Sequence, residues 1–461
     1  MHHRRGTHGA HHPGGRRVAA LTAALATALA AGALPPAARA AAPAPPAVER
    51  VSVAADGGQA DAASDSATVS GDGHHVAFRS WATNLVPGAR RGGPEVFLKD
   101  LRTGTVEQVN VATDGTPVEG QVFSFALSHD ARHVAFASLV EDRGPDGSLP
   151  RSEIHVRDRV TGRTEPLLPP GTRPSGITDR PSISADGRHV AFSSTRDDLV
   201  PGDTNSWSDV FVHDRGTGVT RRVSVGDDGS QLTGFSTAPT LSADGGRVAF
   251  RTVAGPDAAP STAFDAAHRG SRPSARQLYV HDLRTGRTVP GAPRGEGGSA
   301  SVYGGAGLSR DGRHALYCTG TALVPEDTND RSDAYATDLA TGRVRRLSLA
   351  YDGAEADHVT LSEVHLSADA RRAFFTSSAS NLVPDDTNGH QDAFVRDLRT
   401  GDVRRLDVAP DGAQSDGPVG GTHVDTAGRT VAFGSDAGNL VPDDTNGVSD
   451  VFVHRLPPPR P

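Results

Sequence analysis

The chain is poor in sulfur and in aromatic mass. Of 461 residues one is Cys (Cys318), one is Met, two are Trp, and aromatics make up 5%. A single Cys excludes an internal disulfide, so packing, strand pairing and polar contacts must hold the fold. Lysine is almost missing: Lys99 stands alone and every other basic side chain is Arg or His. No long apolar run occurs after Leu34, which excludes a bundle of membrane helices. Neither a Gly-x-Ser-x-Gly elbow nor a His-Glu-x-x-His helix occurs, so two common hydrolase designs are missing. What the chain has instead is 53 Gly and 32 Pro, a turn-rich composition that suits many short strands.

The first 40 residues read as an export signal. Arg4, Arg5, Arg16 and Arg17 precede an Ala/Leu run from Val18 to Leu34, and Ala38-Arg39-Ala40 supplies a small-x-small cleavage site. The Arg16-Arg17 pair leaves both general and twin-arginine export open. Residues 41–47 read as a linker, and 457–461 as a Pro-rich tail. Removing residues 1–40 takes away five Arg and no acid, leaving 42 basic and 55 acidic residues and a formal charge of −13. An acidic, exported chain is expected not to bind nucleic acid, and to have no transmembrane domain once the signal is gone.

Residues 48–456 are built from one unit copied seven times. Each copy reads close to "LSADGRHVAF" followed by "DVFVHDLRTG" and "RRLSV". The aromatic closing the first half falls at Phe78, Phe136, Phe192, Phe250, Tyr317, Phe375 and Phe433, at gaps of 58, 56, 58, 67, 58 and 58 residues. A fixed period of this size marks a repeat array. In the third copy, Thr178–Ser184 and His189–Ser193 are strands joined by an Asp186-Gly187 turn. Asp209–Asp214 and Thr220–Val225 are two more, joined by a turn with Gly216 and Gly218. Four antiparallel strands make one propeller blade, and stacked blades bury the faces that one blade leaves open. The seven aromatics, and a second series at Phe97, Phe211, Tyr279, Tyr335, Phe394 and Phe452, are expected between blades. His155 takes the second-series slot in copy two.

The seventh copy lacks a fourth strand. Val48–Val53 reads "VERVSV", matching "VRRLSL" at 344–349 and "VRRLDV" at 403–408. The fold expected is therefore an all-β, seven-bladed propeller of four-stranded antiparallel blades, closed by the N-terminal strand pairing into the last blade. These repeats resemble the PD-type, WD-like repeats of TolB-like propellers, on the Asp186-Gly187 turn, the strand after it, and Asp214 with Gly218. The resemblance implies a fold. Its members include periplasmic scaffolds, peptidase-associated propellers and carbohydrate-active enzymes, so it implies no single activity. Ala131, Ala370 and Ala427-Gly428 depart from the Asp-Gly pattern.

Four copies carry a further motif between strands two and three, Asp-Thr-Asn followed by Asp. Its carriers are Asp203, Asn205 and Asp209; Asp327, Asn329 and Asp333; Asp386, Asn388 and Asp392; and Asp444, Asn446 and Asp450. Two readings fit. Alternating oxygen donors on a tight loop can wrap Ca²⁺, although the spacing is not that of an EF-hand. The same residues can form Asx turns that anchor the third strand. These loops and the blade-to-blade loops share one acidic face, while Arg188, Arg284, Arg287, Arg343, Arg371, Arg372, Arg399 and Arg429 mark the other. That pattern predicts a charge-polarised disc whose acidic face favours cations or a basic partner. Along the innermost strands, His365 and His423 with Glu363 or Asp425 form a candidate metal group; ordinary polar channel residues is the other reading. The expectation is a secreted or cell-envelope, monomeric, non-catalytic propeller binding a protein or envelope ligand. The alternative is a carbohydrate-active enzyme, a polysaccharide lyase or glycoside hydrolase, at the channel mouth.

Overall fold

The computed structural model describes residues 48–89, 93–140, 151–168, 176–205, 207–232, 234–253, 276–295, 298–360 and 363–458. The expected export signal and linker lie outside the described residues.

Seven four-stranded antiparallel sheets follow one another along the chain, with no helix among the described residues. Blades 1 to 6 run in simple order from inner to outer strand. Blade 7 takes Val419–Val424, Thr430–Ser435 and Asp450–Arg455, and completes itself with Val48–Arg50. Val48 pairs with His454, Glu49 with Val453 and Arg50 with Phe452. The N-terminal strand thus closes the ring as the repeat count required. An added hairpin, Arg294–Gly295 with Gly298–Ser299, stands between blades 4 and 5.

The blades repeat because their second and third strands do. Each second strand is buried on both faces around its aromatic, and each third strand sets an aromatic or His155 directly opposite it. Phe192 and Phe211 are 5.7 Å apart between ring centroids, Phe433 and Phe452 5.9 Å, and Phe136 and His155 5.5 Å. Such pairs contribute about 0.5–1.5 kcal/mol each beyond the area they bury. The expected blade-to-blade aromatic core is in place. Phe433, for example, joins Phe374 of blade 6 in one buried cluster.

The turn after each inner strand has a shared lock. In blades 1 to 6 a Ser donates to the Asp two residues on, as Ser184 does to Asp186 at 2.6 Å, and Asp186 accepts Arg188 N–H. Blade 7 reverses the chemistry: Asp425 holds the Ser position and accepts Arg429 N–H at 2.7 Å. The left-handed turn position is Gly in five blades, while Ala131 and Ala370 adopt it at φ 55° and 52°.

The inner strands are less regular than the sequence implied. Bulges interrupt six of them, and Ser66, Arg180 and Ala238 sit there at φ 54°, 51° and 53°. A bulge kinks a strand and re-aims the side chains beyond it. In blade 6 the inner strand is reduced to His365–Leu366.

Candidate functional site: rim clasps and an axial pit

The Asp-Thr-Asn loops lie on the face that also holds the blade-to-blade connections. In each, a guanidinium from the fourth strand stands between the two carboxylates. Arg222 is 3.4 Å from Asp203 and 3.8 Å from Asp209. Arg346 is 3.3 Å from Asp327 and 3.6 Å from Asp333. Arg405 is 2.6 Å from Asp386 and 3.3 Å from Asp392. In blade 7 the partner is Arg50 of the N-terminal strand, 3.1 Å from Asp444 and 3.7 Å from Asp450. Burial pushes the carboxyls of Asp209, Asp333, Asp386 and Asp444 up, and the guanidinium pulls each back.

The asparagines turn away from cation duty. Asn205, Asn329, Asn388 and Asn446 each use the side-chain oxygen to accept the backbone N–H two residues on, forming Asx turns. Each side-chain amide donates to a carbonyl of the following loop, at Leu232, Ala356, Ser415 and Ala60. A Ca²⁺ placed here would have to displace the guanidinium and recover the Asn oxygen. As arranged, the loops do not fit a calcium cage. Among the described residues no three His, Cys, Asp or Glu side chains converge as a metal site.

Reading the sequence for ligands missed both the Arg and a second polar partner. Gln231 donates to Asp203 at 2.8 Å and Asp209 at 3.0 Å, and Glu355 accepts Thr328 N–H at 2.8 Å. Gln414 and Gln59 accept the equivalent N–H groups of Thr387 and Thr445. A signal for the Arg was present: it occurs in the four blades with Asp-Thr-Asn, and Gln108 replaces it opposite Phe97 in blade 1. The opposite face also pairs its charges. Arg132 meets Asp158 and Arg188 meets Asp214, both at 2.8 Å, and Arg247 meets Asp282 at 3.4 Å. Local pairing reduces the charge separation that the sequence pattern predicts.

The axis is different. On the 1–2 turn face, six of seven blade-to-blade steps carry one backbone hydrogen bond around the axis, through Gly71-Asp72, His129, Ala185, Ala243, Arg310, Ala368 and Thr426. Gly71 allows three side chains to meet above it. A Cβ there would overlap His129 Nδ1 and stand 2.9 Å from both Arg310 Nη1 and Thr426 Oγ1. Arg310, with the turn residues Ala185 and Ala243, floors a cavity of about 360 Å³ whose walls are the inner strands. Its polar lining includes Arg180, Arg251, Arg310, Glu363, His365 and His423.

His365 and His423 do meet: their ring centroids are 5.0 Å apart, and His365 Nε2 is 3.6 Å from Glu363. Asp425 does not join them, being held in its own turn. His423 Nδ1 accepts Val69 N–H at 3.3 Å, which leaves the proton on Nε2. Burial holds His423 well below the ordinary His range, with His365 and Arg310 adding to the effect, so the ring is neutral. Gly305 lets Glu363 pack against the neighbouring strand, and Gly421 leaves open space, with only Glu363 Oε2 at 4.0 Å from a Cβ built there.

This architecture defines a closed seven-bladed propeller with a floored axial pit, in agreement with the TolB-like resemblance of its repeats. No protein-family model matches the chain, and no curated protein matches it by sequence. Solved structures match its fold. An oligogalacturonate lyase in complex with manganese is 15% identical with a TM-score of 0.53, over 89% of this chain and 93% of that one. The propeller domain of the trilobed protease from Pyrococcus furiosus is 13% identical with a TM-score of 0.50, over 85% and 95%. That domain is described with an open velcro topology, whereas here Val48–Arg50 completes the last blade. TolB from Acinetobacter baumannii matches at 15% identity and a TM-score of 0.36, over 79% and 77%.

Proposed function

We propose that this protein is an exported, non-catalytic propeller that holds a protein or cell-envelope ligand by a part inserted into the axial pit. The observation that carries this reading is the pit itself: polar, floored at one end, and built from residues that differ from blade to blade. Ligand sites are concave and carry a few placed polar groups, as this cavity does. The Arg-rich leader and Ala/Leu run of residues 1–34 support export. Among the described residues no helix is long and apolar enough to cross a membrane. The rim clasps support a rigid scaffold, since every loop they fix is tied to its neighbour.

The test is co-sedimentation of the purified protein with washed cell-envelope fragments, wild type against Gly421→Trp. Gly421 is exposed on the inner strand of blade 7 beside Glu363, so the Trp crowds the pit at Glu363 without displacing backbone. Binding by the wild type that Gly421→Trp abolishes, at unchanged melting temperature, supports the reading. Equal binding by both proteins overturns the pit as the site.

One observation favours a second reading, a carbohydrate-active enzyme: the His365–His423 pair with Glu363 beside it, in a fold shared with a manganese-bound lyase. Release of unsaturated product from an acidic polysaccharide, dependent on added Mn²⁺ and lost in His423→Ala, would select it.

A further inference from the structure

Arg310 is the feature of the pit that the rest of the fold leaves unexplained. It leaves blade 5, crosses the axis, and rests its guanidinium over Gly71 of blade 1. Its Nη2 donates to Val69 O at 3.4 Å. Asp72 and Asp425 act on it only at longer range. Both are engaged in their own turns, by His74 N–H and Arg429 N–H. The rim shows the contrast: Arg50, Arg222, Arg346 and Arg405 each touch two carboxylates.

A second guanidinium repeats the pattern on the wall. Arg251 of blade 4 donates from Nη1 to Gly304 O at 2.6 Å, and its buried Nε meets no acceptor among the described residues. Burial draws it down to about 10, with Arg180 and Arg276 adding to the effect and Glu363 opposing it from beyond ion-pair distance. In blade 1 the equivalent second-strand residue, Arg79, is bound bidentately by Asp65 at 2.8 Å. Blade 4 offers Thr237 where blade 1 offers Asp65, so Arg251 has no such partner on its own inner strand. His423 adds a third donor, because its Nδ1 is occupied and its proton sits on Nε2. A buried guanidinium without an anion is costly, and a planar carboxylate matches its donor fork.

We infer that the pit is a carboxylate site, in which a carboxylate-bearing small molecule or chain tip enters end-on and is held between Arg310 on the floor and Arg251 on the wall, with His423 Nε2 donating. This rests on the pit being the ligand site. Glu363, 3.6 Å from His365 Nε2 and itself acting on Arg251, already supplies one negative charge to the pit and so disfavours the more highly charged phosphate.

The experiment is calorimetric titration of the purified protein at neutral pH. The probes are succinate, as a free acid, and acetyl-alanyl-alanine, as a chain tip; succinamide and acetyl-alanyl-alanine amide are the neutral controls, with inorganic phosphate alongside. At least one acid is expected to bind, with its amide weaker by about tenfold or more. Which acid binds separates the two sources. Arg310→Gln is expected to weaken the acid by a similar factor, and Arg251→Gln to do the same where Arg310→Gln fails to fold. Gly421→Trp removes the signal. An amide or phosphate that binds as tightly as the acid overturns the inference, as does an acid unaffected by Arg251→Gln and Arg310→Gln. No acid binding by a folded protein also overturns it. Envelope binding lost only in Gly421→Trp would then leave the pit as a ligand site without anion preference.

Discussion

The rim and the axis of this ring follow opposite rules. At the rim, blades 3, 5, 6 and 7 make one Asp–Arg–Asp clasp with nearly the same distances, and each Asn ties its loop to the next. At the axis, the seven equivalent turn positions hold Gly71, His129, Ala185, Ala243, Arg310, Ala368 and Thr426. A repeat stays uniform where each blade must make the same contact with its neighbour. It loses uniformity where seven strands face one shared space. There a single large side chain fills the centre and symmetric copies would collide. Gly71 shows this, since three side chains already occupy the place of its Cβ.

The largest effect is expected at the closing clasp. Arg50→Ala strands Asp444 and Asp450 in the interior and should cost about 3–5 kcal/mol in urea unfolding. Gln108→Ala, at the equivalent position of blade 1, removes hydrogen bonds to the Glu95 carboxylate and to Asn110 but leaves Asn110 donating to Glu95, and should cost about 1.5–3 kcal/mol. Equal losses would mean the charged clasp is not what distinguishes these blades.

Next comes a pair of glycines. Gly71→Ala forces the floor apart and should cost about 1–3 kcal/mol. Gly438→Ala, at the rim with nothing within 4 Å of its Cβ, should stay within about 0.5 kcal/mol. A harmless Gly71→Ala would show that the floor is loose.

A pH-dependent difference separates blade 6 from its fellows. Ser52, Ser224 and Ser348 each donate to the clasp Asp at 2.5 Å, but blade 6 has Asp407 there. Burial, then the neighbouring Asp392, hold the Asp407 carboxyl well above the usual carboxylate range. The native state therefore keeps a proton that the unfolded chain releases. This contribution is complete below the ordinary Asp value and is lost as pH rises through the raised one. Asp407→Ser should remove that loss, seen as a flatter urea midpoint against pH above the ordinary carboxylate range.

The smallest effect is expected from calcium. Melting in excess EDTA and in millimolar Ca²⁺ should coincide, because guanidiniums already neutralise the four loops. A rise in Ca²⁺ that Asp386→Ala with Asp444→Ala reduces would reinstate them as ion sites.

Much of the fold was legible because its cause is local. Asp-Gly turns, alternating strands and paired aromatics each act over a few residues, and seven copies make the pattern plain. Even the closure could be read, because Val48–Val53 matches the missing fourth strand. The site was legible only in part. The Asp-Thr-Asn carboxylates were visible, but their Arg partners are 13 to 19 residues away in blades 3, 5 and 6 and some 394 to 400 away in blade 7. Proximity in the fold, not in the chain, brings a guanidinium to each carboxylate pair. Among the axial His residues, Glu363 was separated from Asp425 only by the turn that holds Asp425.

The sequence by itself determined the repeat, the blade, the strand that closes the ring and the aromatic stack, because each is encoded within one unit or by one unit's likeness to another. The tertiary structure alone decided what the polar residues do. Bulges in the inner strands, the glycine under Arg310 and the convergence of blades 2, 5 and 7 on one point arise only when the ring is closed. Seven strands must then share a single axis, and no one repeat contains that constraint.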